Sequence, residues 1–248
     1  MIFHLDHIGI TVRSLEEARR GLDRLHPCFH AQSGIAPREC FTEVAMHGPQ
    51  TLGISLHRKQ GGMDIELMEY PRVSANAGSA LPWEFDPGAP VAAVSRAAGE
   101  ALARPVHACS FDRLVALLER CETLNAVLVP VPDPLAEQAF WEGLRFQPVH
   151  ADRDFVVLRL RSPLPASGDR YVLLRKVDYT PRWFTDLEGV SEIALLCSSC
   201  SASLHALPAA TFRTSISRLT IAGKCVDIAY VRSPAGVLVE LFSVRPSS

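Results

Sequence analysis

Leu5-Asp6-His7-Ile8-Gly9-Ile10-Thr11-Val12-Arg13-Ser14-Leu15-Glu16-Glu17-Ala18 reads as a strand that passes through a short turn into a capped helix. Side chains alternate faces along a strand, so Leu5, His7, Gly9 and Thr11 share one side and Ile8, Ile10 and Val12 the other. The apolar side suits packing on a helix, which leaves His7 on the opposite face. Ser14 and Glu17 stand at capping-box spacing, and Leu15, Ala18, Leu22 and Leu25 recur behind them at helical spacing. A histidine in an apolar strand is either a buried side chain bonded to a backbone carbonyl or a ligand. Its company elsewhere in the chain decides which.

The 248 residues, 48% of them hydrophobic, suffice for one large domain or two ordinary ones with a real core. A formal net charge of -2 with no basic stripe interleaved with aromatics argues against a nucleic-acid surface and for a small-molecule ligand. No apolar run reaches the length of a membrane span, and the N-terminus opens directly on a strand, so a cytoplasmic protein is expected. The seven cysteines form no regular disulfide framework and read as reduced thiols. Cys197-Ser198-Ser199-Cys200 is a single pair after an apolar strand, which does not by itself point to redox or zinc chemistry. His26-Pro27-Cys28-Phe29-His30 reads as a loop.

After the first helix, Thr42 to Met46, Thr51 to His57 and Met63 to Tyr70 read as strands, which completes a strand-helix-strand-strand-strand unit. Residues 71 to 91 have the composition of a connecting segment, and a helix follows from Pro90 to about Leu102. Arg104 to Phe111 reads as a strand leading into a helix from Arg113 to Cys121. A second start of the same kind lies at Ala126 to Asp133, continued by a helix near 135–143 and strands at 155–160 and 171–175. A further unit begins at Val190 to Leu196 and closes with strands over 222–232 and 236–242. The repeat of roughly sixty residues predicts an α+β fold of tandem βαβββ modules, with curved mixed sheets around a cleft. Residues 1–125 would hold the first module and a degenerate second, and 126–248 a second pair.

Glu66, in Asp64-Ile65-Glu66-Leu67-Met68, and Glu240, in Leu238-Val239-Glu240-Leu241-Phe242, each stand in the centre of an apolar strand. A carboxylate buried there costs several kcal/mol unless it meets a cation, a metal or a proton. Arg104, Arg159, Arg175 and Arg232 are available as structural partners, so the residues alone leave ion pair and metal ligand both open.

These motifs resemble the vicinal oxygen chelate superfamily, which includes glyoxalases, bleomycin resistance proteins and extradiol dioxygenases. Its first strand often reads Asp-His-Ile-Gly-Ile, and its modules often close on Ile-Glu-Leu or Val-Glu-Leu. Ser233 to Leu241 looks most like the end of methylmalonyl-CoA epimerase-type members. The resemblance implies a metal site of His7, Glu66, His107 and Glu240, His107 being the match to the second module's first-strand histidine. Such a site suits manganese, iron, cobalt, nickel or zinc and leaves room for a bidentate substrate.

The implied activity is that of a lyase, an isomerase or epimerase, or a dioxygenase, acting on a small substrate with vicinal oxygens through a metal-stabilised enolate. Glu240, then Glu43 and Gln50, are the candidate proton-transfer residues. Gln50 falls near the position of the epimerase's second-strand glutamate, and a neutral amide removes no proton. Glu240 lies far beyond His107, so either a module is inserted after Cys121 or four modules stand in tandem, with Glu240 open to another cleft. The rival reading is a metal-free protein that sequesters an aromatic ligand, with Trp83, Trp141, Phe155, Trp183 and Phe184 as candidate cleft walls. A homodimer is compatible with either, since such folds pair modules within or between chains.

Overall fold

The computed structural model of the protein describes residues 1–35, 39–59, 62–75, 80–103, 111–163 and 168–245. Strand β1 (Ile2–Val12) turns into helix α1 (Leu15–Leu22) as the opening stretch predicts. Ser14 Oγ accepts from the Glu17 N–H at 3.3 Å, and α1 buries Ala18 and Leu22. The first unit continues through β2 (Cys28–Ile35), α2 (Glu39–Val44), β3 (Leu52–His57) and β4 (Asp64–Glu69).

Two readings of this unit are corrected. Residues 28–35, taken as a loop from 28 to 30, form an edge strand; its mostly exposed residues carry no apolar alternation that would have marked it. Thr42 to Met46 is not a strand, because α2 runs to Val44. Cys40, Phe41 and Val44 are buried at helical spacing, while Glu39 and Glu43 face water.

The middle of the chain forms β5 (Leu81–Trp83), α3 (Val91–Ala103), α4 (Phe111–Arg120), β6 (Ala126–Val131), α5 (Pro134–Gly143), β7 (Gln147–Ala151), β8 (Phe155–Leu160) and β9 (Arg170–Lys176). Of the strand expected over 104–111, residues 104–110 lie outside the described residues and Phe111 opens α4. The last unit comprises β10 (Gly189–Cys197), α6 (Cys200–Ala206), β11 (Ser217–Ile221), β12 (Lys224–Arg232) and β13 (Leu238–Val244). The Cys197 and Cys200 thiols, 3.9 Å apart, donate to the Phe242 and Leu241 carbonyls and tie the start of α6 to β13.

The first and last units share one eight-stranded sheet in the order β11-β12-β13-β10-β1-β4-β3-β2, joined where β1 pairs antiparallel with β10. Its strands come from both sides of the expected division at 125/126. The third unit forms a five-stranded sheet in the order β5-β6-β9-β8-β7. In all three units the first strand lies parallel to the last, which is the βαβββ connection expected from sequence.

Trp141 is fully buried between Phe140 and Phe146, with ring centroids 5.5 and 5.3 Å away. It belongs to the core of the third unit. Trp141→Ala is expected to destabilise the fold by about 3–5 kcal/mol in denaturant unfolding. Its metal content per folded chain should not change.

Candidate metal centre

The site is assembled by strand register. On β1, His7 stands opposite Ala194 of β10, and Ala194 stands opposite Glu240 of β13. Two residues along, Gly9 stands between Glu66 of β4 and Glu192 of β10. Residues two apart on a strand share a face, so His7, Glu66, Glu192 and Glu240 project from adjacent rows into one space. One ligand atom from each lies within 4.8 Å of the others, and all four residues are buried. The small residues Gly9 and Ala194 free the middle of each row. A Cβ on Gly9 would lie 2.8 Å from Glu192 Oε1 and overlap Glu192 Cγ.

A register shift between Leu5 and His7 inserts Asp6 into β1 as an extra residue, so Asp6 and His7 both face the cleft. Asp6 Oδ2 then lies 3.1 Å from His7 Nδ1. That contact directs His7 Nε2 at the other three residues, the way a carboxylate orients a ligating imidazole. Nε2 is 3.8 Å from Glu66 Oε2 and has no hydrogen-bond partner. Both Glu192 carboxylate oxygens are also buried without a partner. Tyr230 Oη donates to Glu240 Oε2 at 3.3 Å, and the His7 ring packs 5.5 Å from that of Phe242.

Protonation follows from this crowding. Burial opposes a charged His7, but the Asp6 hydrogen bond and the Glu66 and Glu240 carboxylates outweigh it and lift its pKa to about 9. Burial, with Glu240 nearby and against the pull of His7, pushes Glu66 up to about 7. Burial and then the Glu240 and Glu66 charges push Glu192 well above the carboxylate range. Burial opposes the Asp6 carboxylate too, but its bond to His7 keeps the pKa below the ordinary value.

Buried polar atoms without partners are costly, and carboxylates held this close repel. A divalent cation at their focus relieves both, so the donor set fits a metal ion. All four donors come from one chain.

The site opens into a cleft of about 300 Å³ between the two halves of the eight-stranded sheet. His7, Glu66 and Glu240 meet there as a group, and His107 lies outside the described residues. Glu192 was not singled out from sequence, although Val190-Ser191-Glu192-Ile193-Ala194 carries the same mark as Glu66 and Glu240, a carboxylate inside an apolar strand. Glu43 is exposed on α2 and does not line the cleft. Gln50 donates to Asp186 Oδ2 at 3.0 Å and accepts from the Arg72 N–H at 2.7 Å, so it braces loops away from the cleft. None of Trp83, Trp141, Phe155, Trp183 and Phe184 lines the cleft; its aromatic rings are Phe29, Phe41 and Phe242.

No protein-family model matches the sequence, and no curated protein matches it significantly. Solved structures do match the fold. A glyoxalase I variant from Zea mays superposes with a TM-score of 0.55 at 13% identity, over 97% of this chain and 92% of that one. A second variant of the maize protein gives 0.51 at 12% identity, over 97% and 93%. The chain has a glyoxalase-like fold. Among the described residues, no helix is long and apolar enough to cross a membrane.

Proposed function

We propose that His7, Glu66, Glu192 and Glu240 bind a divalent metal ion and that the protein is a metal-dependent lyase or isomerase acting on a small substrate with vicinal oxygens. One observation carries this reading: His7 Nε2 and both Glu192 oxygens converge in a buried space with no hydrogen-bond partner. Three carboxylates and one imidazole form an oxygen-rich set, which favours Mn²⁺ or Fe²⁺ over thiophilic ions. A bound ion of this kind acts as a Lewis acid on adjacent substrate oxygens and acidifies the neighbouring C–H.

The chain's own residues supply the rest. Asp6 holds His7 by Nδ1 and so fixes which nitrogen faces the centre. The apolar walls exclude water and strengthen every charge interaction at the floor of the cleft. Of the three residues offered from sequence for proton transfer, Glu240 is the one retained, acting as base only where it would be displaced from the ion, because it faces the cleft and Glu43 and Gln50 do not. Tyr230 Oη, bonded to Glu240 Oε2, orients that carboxylate and stabilises its charge.

Protein purified without chelator or a nickel column is expected to carry close to one divalent ion per chain by elemental analysis. His7→Ala should remove it while circular dichroism stays native. Metal-free wild-type protein that does not take up Mn²⁺ would sink the enzyme reading and leave that of a ligand-sequestering protein.

A further inference from the structure

Cys197 ends β10 and Cys200 opens α6, with only Ser198 and Ser199 between them. Ser199 Oγ accepts from the Ala202 N–H at 3.3 Å, which fixes the start of the helix and with it Cys200. The two thiols stand 3.9 Å apart. A disulfide needs about 2.05 Å between sulfurs, so a closure of roughly 2 Å within this one turn joins them.

The pair lies away from the metal centre. Glu192 projects into that centre, and side chains alternate along β10, so Ile193, Leu195 and Cys197 take the other face. There α6 packs on β12 and β13. Cys197 meets the Phe242 carbonyl at 3.3 Å, and Cys200 meets those of Asp227 and Leu241 at 3.1 and 3.2 Å, so each sulfur is held in place beside the other.

Two observations narrow the chemistry. Among the described residues, no third His, Cys, Asp or Glu joins the two thiols as a metal-ligand group, which argues against a zinc site. Both cysteines are 2% exposed, so a reactant must be small. The contact with Cys200 outweighs burial and lowers the Cys197 thiol to about 7, while the same contact and burial push the Cys200 thiol up. Cys197 is the better nucleophile of the two.

We propose that Cys197 and Cys200 form a peroxide-responsive dithiol, closed to a disulfide by hydrogen peroxide and reopened by a thiol reductant. The Cys197 sulfur attacks one peroxide oxygen, the O–O bond breaks, and the departing oxygen leaves as water with the thiol proton. The Cys200 sulfur then attacks the resulting sulfenic sulfur, the S–O bond breaks, and a second water leaves with the Cys200 proton. Two electrons pass from the thiols to the peroxide. This site is independent of the metal-centre reading.

Reduced, manganese-treated protein is exposed to a small molar excess of hydrogen peroxide, quenched with iodoacetamide at intervals and mapped by peptide mass spectrometry. The peptide holding both residues is expected to lose two hydrogens at least about tenfold faster than any other cysteine is oxidised, and to regain them in dithiothreitol. Cys200→Ser should stop at a dimedone-reactive sulfenic acid on Cys197, and Cys197→Ser should leave Cys200 unoxidised. The wild-type time course carries the test alone if a variant folds poorly. Two thiols still open to alkylation after the other cysteines have oxidised, or oxidation of Cys197 to sulfinic acid without a disulfide, overturns the proposal.

Discussion

Glu192→Gln is expected to weaken Mn²⁺ binding by at least about a hundredfold, while leaving the metal-free protein as stable as wild type or more so. The two effects have opposite signs for one reason. Glu192 is buried, its oxygens have no partners, and burial with the neighbouring carboxylates favours its protonated form in the metal-free protein. Glutamine has the shape of that protonated acid, so the empty site loses nothing. With a metal present it lacks the anionic oxygen that the ion requires. Gly9→Ala tests the same point without touching a ligand, because the new Cβ occupies the space of Glu192 Cγ and must displace that side chain. Equilibrium dialysis and thermal unfolding in chelator measure the two quantities. A Glu192→Gln protein that keeps its metal and unfolds more easily would make Glu192 a structural residue.

Metal uptake is expected to release protons and to strengthen steeply as pH rises. In the metal-free protein His7 titrates near 9, Glu66 near 7 and Glu192 well above its ordinary range. Binding needs His7 neutral at Nε2 and the carboxylates ionised, so each group that starts protonated gives up a proton. Between the Glu66 and His7 values His7 does so, and affinity should rise on the order of tenfold per pH unit, more steeply wherever Glu192 also starts protonated. Below the Glu66 value the proton on Glu66 joins and the dependence steepens. It flattens as the pH passes the His7 value. Calorimetric titration of Mn²⁺ in buffers of different ionisation heat counts the protons directly. Affinity that does not change across this range would mean that the ion binds elsewhere.

Much of this was legible in the chain. The opening strand and capped helix, the closing strands with Glu66 and Glu240, and the βαβββ units follow from alternation, capping and costly buried charge. These are local signals, and they survive in any surroundings. β2 left no such signal because it is an exposed edge strand with no apolar face to repeat. α2 is too short for its helical period to stand out against a strand.

What local pattern cannot carry is which strands become neighbours. Residues 7 and 240 meet because β1 and β10 pair across the length of the chain, and that pairing also brings Glu192 into the group. The extra residue in β1 that lets Asp6 bond His7 is a matter of register between two distant strands. The sequence by itself determined that His7, Glu66 and Glu240 would be buried and in need of a counter-charge. Only the tertiary structure decided that one cleft collects them, with three carboxylates to one imidazole among the described residues, because pairing depends on long-range contacts that no short stretch encodes.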